Sequence, residues 1–187
     1  MTTARPAADG TFTISGIVPN QDYRVFVNPI LLPLGNQPAP TPPALQNAFV
    51  KSVTLGGMQA DLLNTGFRMT TQAGQQLVIT LGNNAGTLEG RVMNGREPVL
   101  GATVVLIPDS AQRFHINHKV ANTDQAGHFK IFSVPPGDYK LFAWEDIEPF
   151  AYTDPDFLRK YENLGVSIKV SESQNMMVEA RLIPAGQ

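Results

Sequence analysis

The segment AGHFKIFSVPPGDYKLFAW, residues 126–144, decides the fold, because its pattern also occurs as DGTFTISGIVPNQDYRVFV at residues 9–27. Each copy contains a glycine turn, a strand with alternating apolar residues, a turn with proline, and a second strand that opens with Asp-Tyr. Such a repeat indicates two related structural units. The second copy follows residues 87–125 of its own unit, whereas the first follows only residues 1–8, so we expect the first unit to lack its opening strands.

The composition predicts a folded protein with a weakly charged surface. Apolar residues make up 42% of the chain, charged residues 16%, and the net charge is −2. The lysines and arginines are scattered, which argues against binding to nucleic acid or anionic lipid. No apolar run approaches the length of a membrane span, and residues 1–9 lack the apolar centre of a signal peptide, so we expect no membrane insertion. Because cysteine is absent, the chain has no disulfide or thiolate nucleophile.

Apolar residues alternate with a period of two through residues 84–187, which predicts antiparallel strands. Residues 102–107, ATVVLI, are apolar on both faces, as is typical of a central strand. Seven short strands separated by turns are the pattern of an immunoglobulin-like sandwich. The predicted strands are 87–93, 102–107, 119–122, 128–132, 138–144, 165–170 and 175–183.

One short helix is predicted at 155–163, with Thr153 or Asp154 as its cap and Pro155 at its first position. We expect this helix to cover an open end of the sandwich. Tyr23 and Tyr139 open equivalent strands after the proline turns. By analogy with corner tyrosines in other sandwiches, their rings should be buried and their hydroxyls should hydrogen-bond to the backbone.

Residues 1–83 form the first predicted domain and contain a proline-rich loop at 28–48. Its predicted strands are 11–15, 22–28, 49–55, 59–63 and 76–81. The whole chain is therefore predicted to be all-β. It should contain two tandem immunoglobulin-like antiparallel sandwiches, the first without its N-terminal strands, and one short helix in the second, at 84–187.

Two segments of the second domain, TLEGRVMNGREPVLGATVVLIPD at 87–109 and TDQAGHFKIFSVPPGDYKLFAWEDIEP at 123–149, resemble the carboxypeptidase regulatory-like domain. That domain is a transthyretin-like sandwich related to the B-type repeats of collagen adhesins. AFVKSVTLGG at 48–57 and FAWEDIEPFAYTDPDFLRKYENLG at 142–165 are similar to the C-terminal part of large exported proteins of acidobacterial type. The resemblance covers nearly the whole chain and implies an extracellular or cell-surface location.

The resemblance implies little about activity, because the same fold serves as spacer, adhesin, transport module and receptor plug. Relatives among the adhesin repeats carry a Lys-Asn isopeptide bond between their first and last strands. The first strand of the second unit, 87–93, contains no lysine, so this bond is not expected.

The sequence offers three weak candidates for chemistry. His115 and His118 have a metal-like spacing, but residues three apart face opposite sides of a strand and no third ligand is evident. Asp109 and Ser110 together with the histidines would suit a hydrolase, yet no Gly-x-Ser-x-Gly motif is present. The acidic stretch 145–156 matches no calcium-loop spacing. Its aspartates at 154 and 156 are explained by helix capping. We therefore expect no enzyme activity, no cofactor and no metal site.

The expected gap in the first unit leaves an apolar face partly uncovered. Apolar residues in the proline-rich loop either fold back over this face or contact a partner. The short N-terminal segment is another candidate cover for the face. A strand donated by another chain, including another copy of this one, would also cover the face, and head-to-tail donation would build a filament. The candidate partner-binding residues are Phe12, Ile14, Ile30, Leu31, Leu32 and Leu34.

The leading interpretation is a non-enzymatic structural or interaction module of an exported or cell-surface bacterial protein. The alternative is a carbohydrate-binding module of a glycan-utilisation system, with Trp144, Phe150 and Tyr152 as the sugar-stacking residues. Trp144 shares strand parity with Lys140 and Phe142, which favours packing of its ring under the short helix instead.

Overall fold

The computed structural model describes residues 2–7, 9–25, 27, 47–56, 66–69, 76–109 and 118–186. The chain divides into two compact units. Unit 1 comprises residues 1–27 and 52–79, and unit 2 comprises residues 28–51 and 80–187. The predicted domain boundary after residue 83 falls between the strand that ends at Gly82 and the strand that begins at Gly86. Most of the predicted loop 28–48 lies outside the described residues.

The first four strands form two small antiparallel sheets, in which β1 pairs with β3 and β2 pairs with β4. These strands are β1 (Asp22–Tyr23), β2 (Phe49–Leu55), β3 (Phe67–Arg68) and β4 (Leu77–Gly82). The strands predicted near 49–55 and 76–81 are confirmed. The prediction of a strand at 11–15 is wrong, because these residues join no ladder, and the predicted strand 22–28 is reduced to two residues. The predicted strand 59–63 lies outside the described residues.

Unit 2 is an immunoglobulin-like sandwich of two sheets. Its strands are β5 (Gly86–Asn94), β6 (Glu97–Pro98), β7 (Thr103–Pro108), β8 (Lys119–Asn122), β9 (His128–Val134), β10 (Gly137–Trp144), β11 (Val166–Val170) and β12 (Asn175–Arg181). In one sheet, β5 pairs with β12, β9 and the short β6. In the other sheet the order is β11-β10-β7-β8. All seven predicted strands are present, and β6 is an additional short one.

Among the residues of unit 2 that the structure describes, the strand pairs are antiparallel except for the parallel pairing of β12 with β5. The antiparallel prediction therefore holds for every other pair, including β5 with β9 and β10 with both of its neighbours. Alternation of apolar residues reports which face of a strand is buried, and it carries no information on the direction of the neighbouring strand. The direction of β12 is set by its long-range placement beside β5.

Two apolar layers hold unit 2 together, one on each face of the β7–β10 pair. Val104 and Leu141 belong to the main core between the two sheets. Val105 and Phe142, their neighbours in sequence, belong to a second cluster on the opposite face. All four side chains are at most 2% exposed. The prediction that 102–107 is a central strand with two apolar faces is confirmed.

The second apolar layer is closed by the helix α1 (Pro155–Tyr161), whose buried residues are Leu158 and Tyr161. The Asp154 carboxylate accepts a hydrogen bond of 2.8 Å from the Asp156 amide, and Pro155 occupies the first turn, as the sequence predicted. The expected position of the helix at an open end of the sandwich is wrong. It lies on the outer face of the sheet, because the alternate residues of β7 and β10 form an apolar surface there.

The sequence repeat is also a repeat of backbone structure. Gly10 donates an amide hydrogen bond of 2.9 Å to the Ala7 carbonyl, and Gly127 donates one of 2.9 Å to the Asp124 carbonyl. Both glycines adopt left-handed backbone angles, φ 83° and φ 72°. Ala7 and Gly10 occupy the same positions in the first copy as Asp124 and Gly127 occupy in the second. The glycine turns of the two copies therefore have the same hydrogen bond and the same glycine conformation.

Both corner tyrosines hydrogen-bond to the backbone as predicted, but the prediction of a buried ring is confirmed only for Tyr139, since Tyr23 is half-buried. The Tyr139 hydroxyl donates to the Pro135 carbonyl at 2.8 Å. The Tyr23 hydroxyl donates to the Val18 carbonyl at 3.1 Å and accepts from the Val18 amide at 2.8 Å. The bond reaches four residues back in unit 2 and five in unit 1, which matches the extra residue in the first copy. Tyr139 is buried, and burial raises the pKa of its phenol to about 12.

Replacement of Tyr139 by Phe tests this corner and its pH dependence. Loss of the hydroxyl leaves the Pro135 carbonyl without that donor and should lower the free energy of unfolding by about 1 kcal/mol at pH 7. The folded-state pKa of about 12 exceeds the ordinary value of 10.0, so this contribution is full below pH 10 and declines as the pH rises toward 12. Urea titrations across this pH range should show the decline in the wild type and not in Tyr139→Phe. An equal decline in both proteins would contradict the assignment.

Candidate functional site

The described part of unit 1 contains an apolar groove of ≈ 550 Å³. Its lining includes Phe12 and Ile14 together with Leu77 and Ile79 of β4. Phe12 and Ile14 are two of the candidate partner-binding residues that the sequence predicted. Further lining residues are Asp9, Gly10, Thr11, Thr13, Ile17, Leu55, Phe67, Met69, Gln76 and Val78.

The lining segment 11–15 has strand-like side-chain alternation without strand pairing. Phe12 and Ile14 are half-buried, whereas Thr11, Thr13 and Ser15 are exposed. Within the described ranges, no residue exchanges a backbone hydrogen bond with residues 12–17. Backbone groups that lack protein partners beside an apolar surface are the features of an open sheet edge.

In unit 2, the residues equivalent to Phe12 and Ile14 are buried by a neighbouring strand. Phe129 and Ile131 of β9 correspond to Phe12 and Ile14, and each is only 4% exposed. They are buried because β9 pairs with β5, which brings Leu88 into the core beside them. The same local pattern is therefore buried in one unit and partly exposed in the other, and the difference lies in the neighbouring strand.

Asp9 places a negative charge among the groove's lining residues. Its carboxylate accepts hydrogen bonds from the Thr11 amide at 2.9 Å and from the Thr11 hydroxyl at 2.7 Å. These bonds hold the pKa of Asp9 below its ordinary value. The carboxyl group is thus ionised at neutral pH.

Trp144 is unsuited to the sugar-stacking role considered from the sequence. It is 2% exposed, its ring stacks on Phe142 at 5.2 Å, and Tyr161 of α1 meets it edge-on at 5.8 Å. A sugar needs a solvent-facing ring surface, and α1 occupies the position where it would bind. The alternative interpretation, packing of Trp144 under the helix, describes its position.

Phe150 and Tyr152 remain accessible. Phe150 is 70% exposed, and its backbone adopts a left-handed conformation with φ 67°, which is uncommon for a bulky residue. Its ring centre lies 6.3 Å from that of Tyr152, which is half-buried. The rings of Tyr152 and His118 form a T-shaped contact with their centres 5.6 Å apart. These two residues are the accessible part of the predicted aromatic platform.

The other predicted site residues are distributed as follows. Ile30, Leu31, Leu32, Leu34, Ser110 and His115 lie outside the described residues. His118 contacts Tyr152. In the acidic stretch, Asp154 caps α1 and Asp156 forms an ion pair of 3.0 Å with Arg159.

Across the described part of the chain, no three His, Cys, Asp or Glu side chains are grouped as metal ligands. No helix among the described residues is long and apolar enough to cross a membrane.

Sequence reasoning missed several residues of the groove. Ile17 had a detectable signal, because it aligns with Val134, which is fully buried in unit 2. Phe67 and Met69 had no such signal, since they lie outside every predicted strand and line the groove only through the tertiary fold.

Comparisons with known proteins return distant structural likenesses. No family model and no curated protein matches the chain. The major pilin subunit of Bacillus cereus is 14% identical with a TM-score of 0.35, over 57% of this chain and 33% of that one. A streptococcal ancillary pilin is 14% identical with a TM-score of 0.36, over 69% of this chain and 44% of that one. A DUF3823 family protein from Bacteroides ovatus is 20% identical with a TM-score of 0.31, over 50% of this chain and 42% of that one.

The chain thus spans less than half of each of these three proteins. At these TM-scores the likenesses carry no argument about function. The β-sandwich class of unit 2 is established by its own strand order and core.

Trp144→Ala and Phe150→Ala form a matched pair that tests the two aromatic environments. Removal of the buried indole should lower the free energy of unfolding by about 3–5 kcal/mol, because it leaves a cavity under α1. Removal of the exposed Phe150 ring should change it by less than about 0.5 kcal/mol. Guanidinium titrations of both variants measure the difference. Similar effects at the two positions would contradict the assigned burial.

Proposed function

We propose that this chain is a non-enzymatic structural or interaction module of an exported or cell-surface bacterial protein, in which unit 1 accepts a β-strand from another polypeptide chain. One observation carries the proposal. The repeated Phe-x-Ile pattern is buried by β5 in unit 2, and it lines an open groove in unit 1. A donated strand would supply the missing cover and pair with the open backbone edge.

The energetics favour occupation of the groove. Phe12, Ile14, Leu77 and Ile79 are all half-buried. Complete burial of their remaining apolar surface would contribute on the order of a few kcal/mol. Main-chain hydrogen bonds to residues 12–17 would add to this and would fix the register of the strand.

The family resemblance supports the proposed location. Gly-x-Phe-x-Ile and Pro-Gly-Asp-Tyr at 127–131 and 136–139 are similar to motifs of carboxypeptidase regulatory-like domains, which occur in exported and surface proteins. The apolar residues Ile30, Leu31, Leu32 and Leu34 are proposed as additional partner contacts. Where the donor is a second copy, head-to-tail addition produces a filament.

Protein isolated from its native host without heating should be part of an assembly, because the groove is expected to be occupied there. Light scattering and electron microscopy should detect particles larger than the monomer. Expression of Ile14→Asp in the same host should release monomers, since a carboxylate in the groove cannot be covered by an apolar strand.

Phe132→Asp is the matched control for this experiment. Phe132 is 58% exposed on β9 of unit 2 and does not line the groove, so its replacement should leave the assembly intact. Uniformly monomeric wild-type particles would contradict strand addition.

A second candidate function is carbohydrate binding at Phe150 and Tyr152. The exposed Phe150 ring, held in an unusual backbone conformation next to Tyr152, favours it. Aromatic faces suit the CH groups of sugars, and strained backbone often occurs at functional sites. This function would be independent of the groove.

A glycan array provides the test of this candidate. If the aromatic pair binds sugar, Phe150→Ala should remove the signal, whereas Ile14→Asp should retain it. An array without signal for the wild type would leave strand addition as the only proposal.

A further inference from the structure

Unit 2 provides a template for the strand that would occupy the groove of unit 1. β5 runs antiparallel to β9, with Leu88 opposite Ile131 and Gly90 opposite Phe129. The Val92 amide donates to the Gly127 carbonyl at 2.9 Å. Leu88 and Val92 are fully buried on either side of the glycine.

Glycine at position 90 is required by its neighbours. A Cβ atom there would lie 2.7 Å from Cζ of Phe129 and would also overlap the carbonyl oxygen of Val178. The Phe129 ring is 4% exposed and enclosed by the core, so it cannot move aside without opening a cavity. In unit 2 the strand beside β9 therefore needs glycine at this position, because the enclosed ring and the backbone of β12 both occupy the space of a side chain.

Unit 1 presents the equivalent surface. Ile14, Phe12 and Gly10 line the groove in the same order and spacing as Ile131, Phe129 and Gly127. The glycine turns preceding both segments share their hydrogen bonding and left-handed glycine. A strand that pairs with unit 1 in the register of β5 thus places the residue equivalent to Gly90 opposite the Phe12 ring.

We infer that the groove selects a strand with the pattern apolar-x-Gly-x-apolar, with the glycine opposite Phe12. This inference rests on the proposed strand-accepting function and specifies its partner. The first apolar residue packs on Ile14, and the second lies beside Gly10. Thr11 and Thr13 replace His128 and Lys130, so the two x positions face uncharged side chains.

Charge complementarity extends the pattern. In unit 2, Lys130 pairs with Glu89, so the outward positions of β5 carry charge. In unit 1 the charge comes from the ionised Asp9, which lines the groove on the Gly10 side of Phe12. A lysine or arginine directly after the second apolar residue would approach this carboxylate.

The occupant is a segment of a partner protein. The pattern is present in this chain as Leu-Glu-Gly-Arg-Val at 88–92, but β5 is held there between β9 and β12. A folded second copy could not release this strand without losing its own core. β5 of a folded copy is therefore not the donor, and the occupant is a different strand of a partner protein.

Synthetic peptides with the sequence of residues 86–94 test the inference against the full chain. Fluorescence anisotropy should show binding of the parent peptide. The peptide with Gly90→Val should bind at least about tenfold more weakly, because the added side chain overlaps the Phe12 ring. The peptide with Met93→Lys should bind more tightly than the parent at low salt, and Asp9→Asn in the protein should abolish this gain.

Protein variants locate the binding site. Together with hydrogen exchange, they distinguish strand addition itself from the glycine pattern of the added strand. Ile14→Asp should abolish binding, whereas the control Phe132→Asp should retain it. Hydrogen exchange on the wild type provides a second readout, because the parent peptide should protect the amides of residues 11–17. Equal binding of the parent and Gly90→Val peptides with protection at 11–17 would overturn the glycine pattern and leave strand addition standing. Absence of binding, or binding without this protection, would overturn both.

Discussion

Burial of β7 and β10 on both faces is the constraint on which unit 2 depends. Alternate residues of these strands enter two different apolar clusters, one shared with the second sheet and one shared with α1. A strand whose two faces are both apolar cannot be left exposed on either side. This requirement fixes the position of the helix on the outer face of the sheet and encloses Trp144 beneath it.

The two copies of the repeat have the same local structure but differ in the burial of their apolar residues. The glycine turn, the Phe-x-Ile pattern and the corner tyrosine are built alike in both units. Phe129 and Ile131 nevertheless become core residues, whereas Phe12 and Ile14 line a groove. The decisive difference is β5, which completes the sheet beside β9. Within the described part of the chain, the repeat thus provides an internal comparison between an edge that is paired and an edge that is not.

The candidate sites were predictable to different extents. Alternation in the repeat was sufficient to select Phe12 and Ile14 as groove residues. The same parity argument pointed to a buried Trp144, although a lone tryptophan near other aromatic residues also suggested a sugar site. Exposure of Phe150 and its left-handed backbone had no signal in the sequence, because both depend on how the segment between β10 and α1 packs.

The sequence by itself determined the all-β class, the seven strands of unit 2, the capped helix and the hydrogen-bonded corner tyrosines. Each of these follows from local spacing, such as a period of two or a proline after an aspartate. Tertiary structure decided the parallel pairing of β12 with β5, the face that α1 covers, and the absence of a strand at 11–15. A ladder needs a partner that is distant in the chain, so residues with strand-like alternation become a strand only where that partner is present.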